Sequence, residues 1–255
     1  RGFAGPLALA TLHTPVAEAS SARLGQVLRG PGAGRLLVAR DGLAAGLVAP
    51  ALAALRQAGV AIRPGARLRA LTTAEERAIA LHLAGESLPL APGDAVILAL
   101  PPWEAARLVT GLRVPDRHAP ILTLHFDHAG AGPPRFLGVI GGVVRQVLLR
   151  PGSISATADA GADPARAWAE IHAAARILAL PGAWPAAAPP CRAVLEPRAT
   201  LRHDVGMPPM APRLPLRNLA LAGDWTWPGL PTSMEAAALS GEAAAKAIAT
   251  RLKRG

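Results

Sequence analysis

The sequence has no tyrosine, three phenylalanines and a single cysteine, Cys191. One thiol excludes an intrachain disulfide and any thiolate metal cluster, and it fits a reducing compartment. Long apolar runs are also missing. The longest candidate, Gly42 to Leu55, falls short of the ~18 residues of a membrane span and contains Pro50. The net charge is +10, carried almost wholly by arginine, yet no basic stripe or nucleic-acid module accompanies it, so no nucleic-acid partner is expected. The arginines are scattered, apart from the tail Arg251-Leu252-Lys253-Arg254. They suit either a solvated exterior or peripheral contact with an anionic membrane surface. No signal peptide is visible, and a cytoplasmic location, or a peripheral one at the inner face of the membrane, is the expectation. No Gly-x-Ser-x-Gly elbow surrounds Ser153 or Ser155, so a hydrolase triad has no support. His125-x-x-His128 on a strand would point its two rings to opposite sides, with no third ligand at a suitable spacing, and no metal is expected.

What is present is ample apolar material. The 255 residues are 51% hydrophobic, enough for one large domain or two intertwined ones. Residues 1–35 read as helical, interrupted at Pro15, and Gly30 to Gly34 as a loop. Arg35 to Ala39 reads as a strand, Leu43 to Gln57 as a helix ending at Gly59, and Val60 to Ile62 as a short strand. Strands are expected over Ala66 to Leu71 and Ile79 to Leu83. The apolar run Asp94 to Leu100 reads as a central strand buried on both faces, stopped by Pro101-Pro102. A helix starts at Trp103. Strands follow over Ile121 to Asp127, Phe136 to Ile140 and Val143 to Leu149, then a helix from Asp163-Pro164 to about Leu180. Val194 to His203 is extended, and Pro208 to Pro215 is a proline-rich loop.

The C-terminal stretch carries the chemistry. Asn218 to Ala222 reads as a buried strand, Gly223-Asp224 as a turn, and Thr232 onward as a helix. Thr232 and Glu235 have the spacing of a capping box, with Pro231 just before it. The helix face carries Ala237, Ala238, Gly241, Ala244 and Ala245, small residues that admit a close neighbour. A free helix N-terminus offers unpaired N–H groups and partial positive charge, suited to a ring oxygen or a phosphate. An acidic side chain at a strand end accepts hydrogen bonds from sugar-like hydroxyls.

This stretch resembles the C-terminal flavin-binding signature of the amine oxidase and phytoene desaturase superfamily. Within it the chain is most similar to the squalene-associated group, the hydroxysqualene dehydroxylases of hopanoid biosynthesis. Leu9-Ala10-Thr11-Leu12-His13-Thr14-Pro15, Gly65 to Leu71, Asp94 to Trp103 and Glu196-Pro197-Arg198-Ala199-Thr200 carry the likeness in order along the chain. Three departures stand out. His13 occupies a place the family fills with Asn, and Trp227-Pro228 replaces the usual Asp-Thr. The Gly-x-Gly-x-x-Gly unit that opens such flavin domains is absent, since Gly30, Gly32 and Gly34 have the wrong spacing.

The resemblance implies an α/β, amine-oxidase-like flavoprotein that corresponds to the C-terminal portion of a longer protein. Its Rossmann-type nucleotide domain (36–102 and 216–255, first βαβ unit missing) would interleave with an α+β substrate domain (1–35 and 103–215). The implied cofactor is FAD. Gly223 and Asp224 would meet its ribityl and pyrophosphate part, Thr232, Ser233 and Met234 the pyrimidine edge, and the Leu68 backbone the adenine. Trp225 or Trp227 would either line the active site or belong to the core. The implied substrate is a C30 isoprenoid alcohol, with no catalytic side chain named. Another flavin desaturase, an amine oxidase, or a truncated remnant without activity stay open as alternatives.

Overall fold

The computed structural model describes residues 4–29, 37–128, 132–207 and 216–253. The loops expected over 30–34 and 208–215 lie outside the described residues. In chain order the elements are α1 (Ala4–Leu12), α2 (Ser21–Arg29), α3 (Ala49–Gln57), β1 (Leu68–Ala74), β2 (Arg77–Leu83), β3 (Glu86–Pro89), β4 (Val96–Ala99) and α4 (Pro102–Leu108). Then come β5 (His118–Phe126), β6 (Arg135–Gly138), β7 (Val144–Arg150), β8 (Ser153–Ala158), α5 (Pro164–Ile177), β9 (Cys191–Leu201), β10 (Leu219–Ala222) and α6 (Met234–Leu252). A π-helical turn, Ala44–Val48, runs directly into α3, next to Pro50, whose missing N–H removes a rung of the helical ladder.

The chain forms two compact units. One comprises Arg1–Pro6, Gly34–Ile62 and His118–Thr200; the other comprises Leu7–Ala33, Arg63–Arg117 and Leu201–Gly255. Residues 7–33 group with 63–117, and 34–62 group with 118–200.

The first unit is built on a five-stranded sheet in the order β6-β7-β8-β5-β9. Alternation along β5 and β8 buries Leu122, Leu124, Phe126, Ile154, Ala156 and Ala158 on one face, where α5 covers them with Ala167, Trp168, Ile171 and Ala175. Asp163 caps α5 by accepting the Arg166 N–H at 2.9 Å, with Pro164 at the first helical position. Trp168 is fully buried and donates its indole N–H to the Pro185 carbonyl at 2.9 Å. Strand β8 had no counterpart among the expected elements.

The second unit holds an antiparallel sheet β1-β2-β3 and a parallel pair β4–β10, with α6 packed on β10. The two-sided burial expected for Asp94 to Leu100 does not hold. Val96 and Leu98 are buried, whereas Ile97 is 40% exposed, and the described partner of β4 is β10 alone. The strand expected at Val60 to Ile62 is absent, and residues 37–39 of the expected Arg35 to Ala39 strand are irregular. Neither short apolar run finds a pairing edge among the described residues. Among those residues no helix is long and apolar enough to cross a membrane.

Candidate functional site

Strand β10 ends at Ala222, and Gly223 turns the chain with φ 142° and ψ 155°, a region reserved for glycine. A Cβ there would lie 2.8 Å from the Trp225 Nε1 and 2.9 Å from its Cδ1, so the turn also needs glycine for space. The Gly223 N–H donates to the Ser240 hydroxyl at 2.8 Å, which donates in turn to the Ala237 carbonyl at 2.7 Å. That relay ties the turn to the second turn of α6.

Asp224 opens a short 3-10 turn, Asp224–Thr226. Burial pushes its carboxyl above the usual carboxylate range, opposed by N–H groups of Trp225 and of its own backbone. Among the described residues it makes no ion pair. A half-buried acceptor without a cation beside it suits neutral donors such as hydroxyls.

The helix start differs from the expected capping box. Ser233, not Thr232, is the N-cap; its extended backbone (φ −166°, ψ 165°) lets its hydroxyl accept the Ala236 N–H at 3.1 Å. Thr232 is taken up elsewhere. Its backbone N–H donates to His203 Nε2 at 3.1 Å, and its hydroxyl lies 3.1 Å from the same nitrogen. Ser233 and Met234 are exposed, and the helix is long enough for its first N–H groups to form an open, partly positive end. The small residues behind it have an ordinary partner on one side: Ala244 and Ile248 pack on Ala220 and Ala222 of β10. Around Gly241, by contrast, a Cβ would meet nothing within 4 Å.

The two tryptophans part ways. Trp225 is 1% exposed, packs with Ala105 and Leu201, and donates its indole N–H to the Leu100 carbonyl at 2.8 Å. Packing thus fully engages it within the second unit. Trp227 stays half-buried, its indole folded over Gly229, where a Cβ would lie 2.8 Å from its Nε1. Leu68 opens β1 and packs in the same apolar cluster as Leu100, Leu219 and Leu221. Its carbonyl accepts from Arg107 Nη2 at 3.1 Å, while Arg107 Nη1 reaches the Arg69 carbonyl at 2.7 Å. The link after β4 and the last turn of α4 both serve this unit: Leu100 holds Trp225, and Arg107 holds the entry to β1.

His125 lies on β5 and His128 just past its end, and the two meet different partners. His125 Nδ1 lies 3.0 Å from the Ser155 hydroxyl, and the His128 ring packs edge-on against Trp168 at 5.3 Å.

Two residues that motif reading passed over organise the site. Asn218 is 2% exposed; its side chain accepts the Ala78 N–H at 2.8 Å and donates to the carbonyls of Ala78 at 2.9 Å and Asp94 at 3.1 Å. It stitches β2 to the start of β4 and β10. His203 is 1% exposed, and its N–H donates to Thr14 Oγ1 at 2.9 Å, whose hydroxyl donates to the Leu12 carbonyl at 2.8 Å. Between Leu12 and Thr14, His13 sits at φ 48°, a left-handed position that Asn and His tolerate better than most residues. The exchange of Asn for His noted in the sequence thus falls where both fit.

His203 must stay neutral to accept from Thr232. Burial, then the nearby Arg23 and His13, push its pKa down to about 4, against an opposing pull from Asp204. Unfolded, the ring returns to an ordinary pKa of about 6.5. Between these values the unfolded chain binds a proton that the folded chain refuses, so stability falls as pH drops from about 6.5 towards 4. Denaturant unfolding at pH 7.5 and pH 5 should show the wild type losing about 2 kcal/mol more than His203→Gln. Equal losses in the two proteins would contradict a neutral, buried His203.

Comparison with known proteins adds the following. A family profile described as flavin containing amine oxidoreductase matches residues 3–131. The chain is 40% identical over 261 residues to a hydroxysqualene dehydroxylase of Rhodopseudomonas palustris, covering 95% of this chain and 61% of that protein. It is 35% identical over 264 residues to a hydroxysqualene dehydroxylase of Sinorhizobium fredii, covering 96% and 61%. For the hydroxysqualene dehydroxylase of Zymomonas mobilis the identity is 30%, covering 96% and 62%. The chain therefore spans about three fifths of the length of these curated relatives. A crystal structure of an oxidoreductase from Methanosarcina mazei shares the fold, with a TM-score of 0.69 at 14% identity, covering 96% of this chain and 64% of that one.

Proposed function

Because the chain belongs to the flavin-containing amine oxidoreductase family, we propose that it forms part of an FAD-dependent hydroxysqualene dehydroxylase. The observation that supports this most is its likeness, along nearly its whole length, to relatives of that name. On this reading the substrate is a C30 isoprenoid alcohol. Its C–O bond breaks, the hydroxyl leaves with a proton as water, and a C–H bond forms at the same carbon. When bound, a reduced flavin supplies the hydride that this exchange consumes.

The residues present fit such a cofactor. All six proposed contacts, Leu68, Gly223, Asp224, Thr232, Ser233 and Met234, fall in the second unit. Asp224 offers a half-buried carboxylate without a cation partner among the described residues, matched to ribityl hydroxyls. Gly223 brings backbone close to whatever lies on the turn. The α6 start, capped by Ser233 and exposed at Met234, would present backbone N–H groups to the pyrimidine edge. Thr232 serves through its backbone placement, since His203 engages it. Leu68 would offer backbone to the adenine, with Arg107 fixing its carbonyl. Of the two tryptophans, Trp227 is the one left able to line a substrate path. The first unit, with its sheet and α5, would carry the substrate-binding part.

The test uses the protein bearing this chain at the full length of its relatives. Purified, it should carry flavin absorbance and, with a reductant, convert hydroxysqualene to squalene as read by mass spectrometry. A flavin-loaded protein that leaves hydroxysqualene untouched while desaturating a carotenoid or oxidising an amine would replace this reading with one of the alternatives.

A further inference from the structure

The loop between Trp227 and α6 is held from outside by parts of the chain distant in sequence. Arg23 Nη1 donates to the Pro228 carbonyl at 2.6 Å, and Gln26 Nε2 donates to it at 3.2 Å. Arg23 is oriented in turn by the Gln26 Oε1 at 3.0 Å. Four residues on, His203 Nε2 accepts the Thr232 N–H at 3.1 Å. His203 itself is fixed through its backbone: its N–H meets Thr14 and its carbonyl accepts the Ser20 N–H at 2.9 Å. The next residue, Asp204, pairs with Arg117 at 2.8 Å and Arg202 at 3.2 Å. Thus α2 and His203, just past β9, hold one loop at two points, and the α1–α2 turn holds His203 from behind.

We propose that His203 and Arg23 are positioning residues: they clamp residues 228–232 and so preset the start of α6 for the cofactor. This rests on the flavin reading of that helix start. The physical case is that α6 cannot set its own entry. Ser233 fixes only the first turn, and the glycine at 229 with its neighbouring prolines leaves the approach to it to be defined by contacts. Because Nε2 accepts from a backbone N–H, the ring proton lies on Nδ1, which is buried and has no hydrogen-bond partner among the described residues. An unmet buried donor is costly, and it persists here because the ring is oriented towards Thr232. A histidine serving only as filler would be better replaced by an apolar side chain.

The experiment compares wild type, His203→Phe, His203→Gln and Arg23→Met in the full-length protein. Two quantities are read: amide hydrogen exchange at 229–236 without cofactor, and the Kd for FAD by titration. His203→Phe keeps a ring but loses the acceptor. It should speed exchange at Thr232 and the α6 start and raise the Kd about tenfold, the loss of one hydrogen bond. His203→Gln restores an acceptor near the Nε2 position and should bring both back to within about threefold of wild type. Arg23→Met, at a partly exposed site where misfolding is not a concern, should loosen 228–230 in the same direction. Unchanged exchange in both His203→Phe and Arg23→Met would overturn the clamp. Faster exchange with an unchanged Kd would overturn its role towards the cofactor. A wild-type protein that takes up no flavin would sink the flavin reading by itself, and the exchange arm would still decide the clamp.

Discussion

Asn218→Leu should destabilise the fold by about 3–5 kcal/mol, the largest effect expected of any polar substitution here. Leucine keeps the branched four-atom skeleton but carries bulkier methyl groups, so lost hydrogen bonds are joined by some crowding at a buried site. Three backbone groups depend on the amide: the Ala78 N–H, the Ala78 carbonyl and the Asp94 carbonyl. The site is 2% exposed, so water cannot replace the amide. Each stranded buried group costs about 1–3 kcal/mol, partly offset by the apolar side chain. Against a typical total of 5–15 kcal/mol, chemical denaturation should show a midpoint shifted far down or no cooperative transition. Asn218→Asp should also be severe, because it turns two donated hydrogen bonds into repulsion between a carboxylate and two carbonyls. A change below about 1 kcal/mol in the leucine variant would mean that β2 and β10 hold together without this bridge.

Gly223→Ala should cost about 3–4 kcal/mol, and Gly241→Ala should cost nothing or stabilise slightly. The same methyl is added in each case. At Gly223 it meets a backbone conformation closed to other residues, worth about 1–3 kcal/mol, and then the Trp225 indole at 2.8 Å. The indole cannot yield, because it is buried and anchored to Leu100. At Gly241 the backbone is helical and the space is open, so the methyl gains about 0.5–1 kcal/mol of helix propensity. Thermal unfolding of both variants measures the contrast. Equal shifts would mean that the Gly223 turn is not held as described.

What the sequence made legible is what short-range chemistry determines. Asp163-Pro164 announced α5 because cap and first-turn proline act within one turn. The Gly-Asp turn after β10 was legible for the same reason, as was the interruption at Pro15. The capping box at Thr232 failed because two adjacent hydroxyl residues can each cap a helix; His203, at the end of β9, engages one and leaves the role to Ser233. Strand β8 escaped because Ser153-Ile-Ser-Ala-Thr-Ala has one large apolar residue, so its inward alternation relies on alanine and on neighbours β5 and β7. The continuous apolar run of β4 suggested burial on both faces, yet burial depends on what covers a strand, which composition does not contain. Asn218 and His203 were invisible as organisers because each acts on backbone groups distant in sequence. Trp225 was ambiguous for a similar reason: only its bond to Leu100 marks it as packed.

We propose that the Gly223–Asp224 turn, set against the start of α6, holds the cofactor. The most direct measurement is flavin titration of the full-length protein and its Asp224→Ala variant, followed by fluorescence quenching, with unfolding monitored in parallel. Removing a half-buried carboxylate that accepts from cofactor hydroxyls should raise the Kd for FAD at least tenfold, about 1.5–3 kcal/mol. Folding stability should be unchanged or improved, since burial disfavours that charge. An unaltered Kd with an intact fold would contradict the claim and place the cofactor elsewhere.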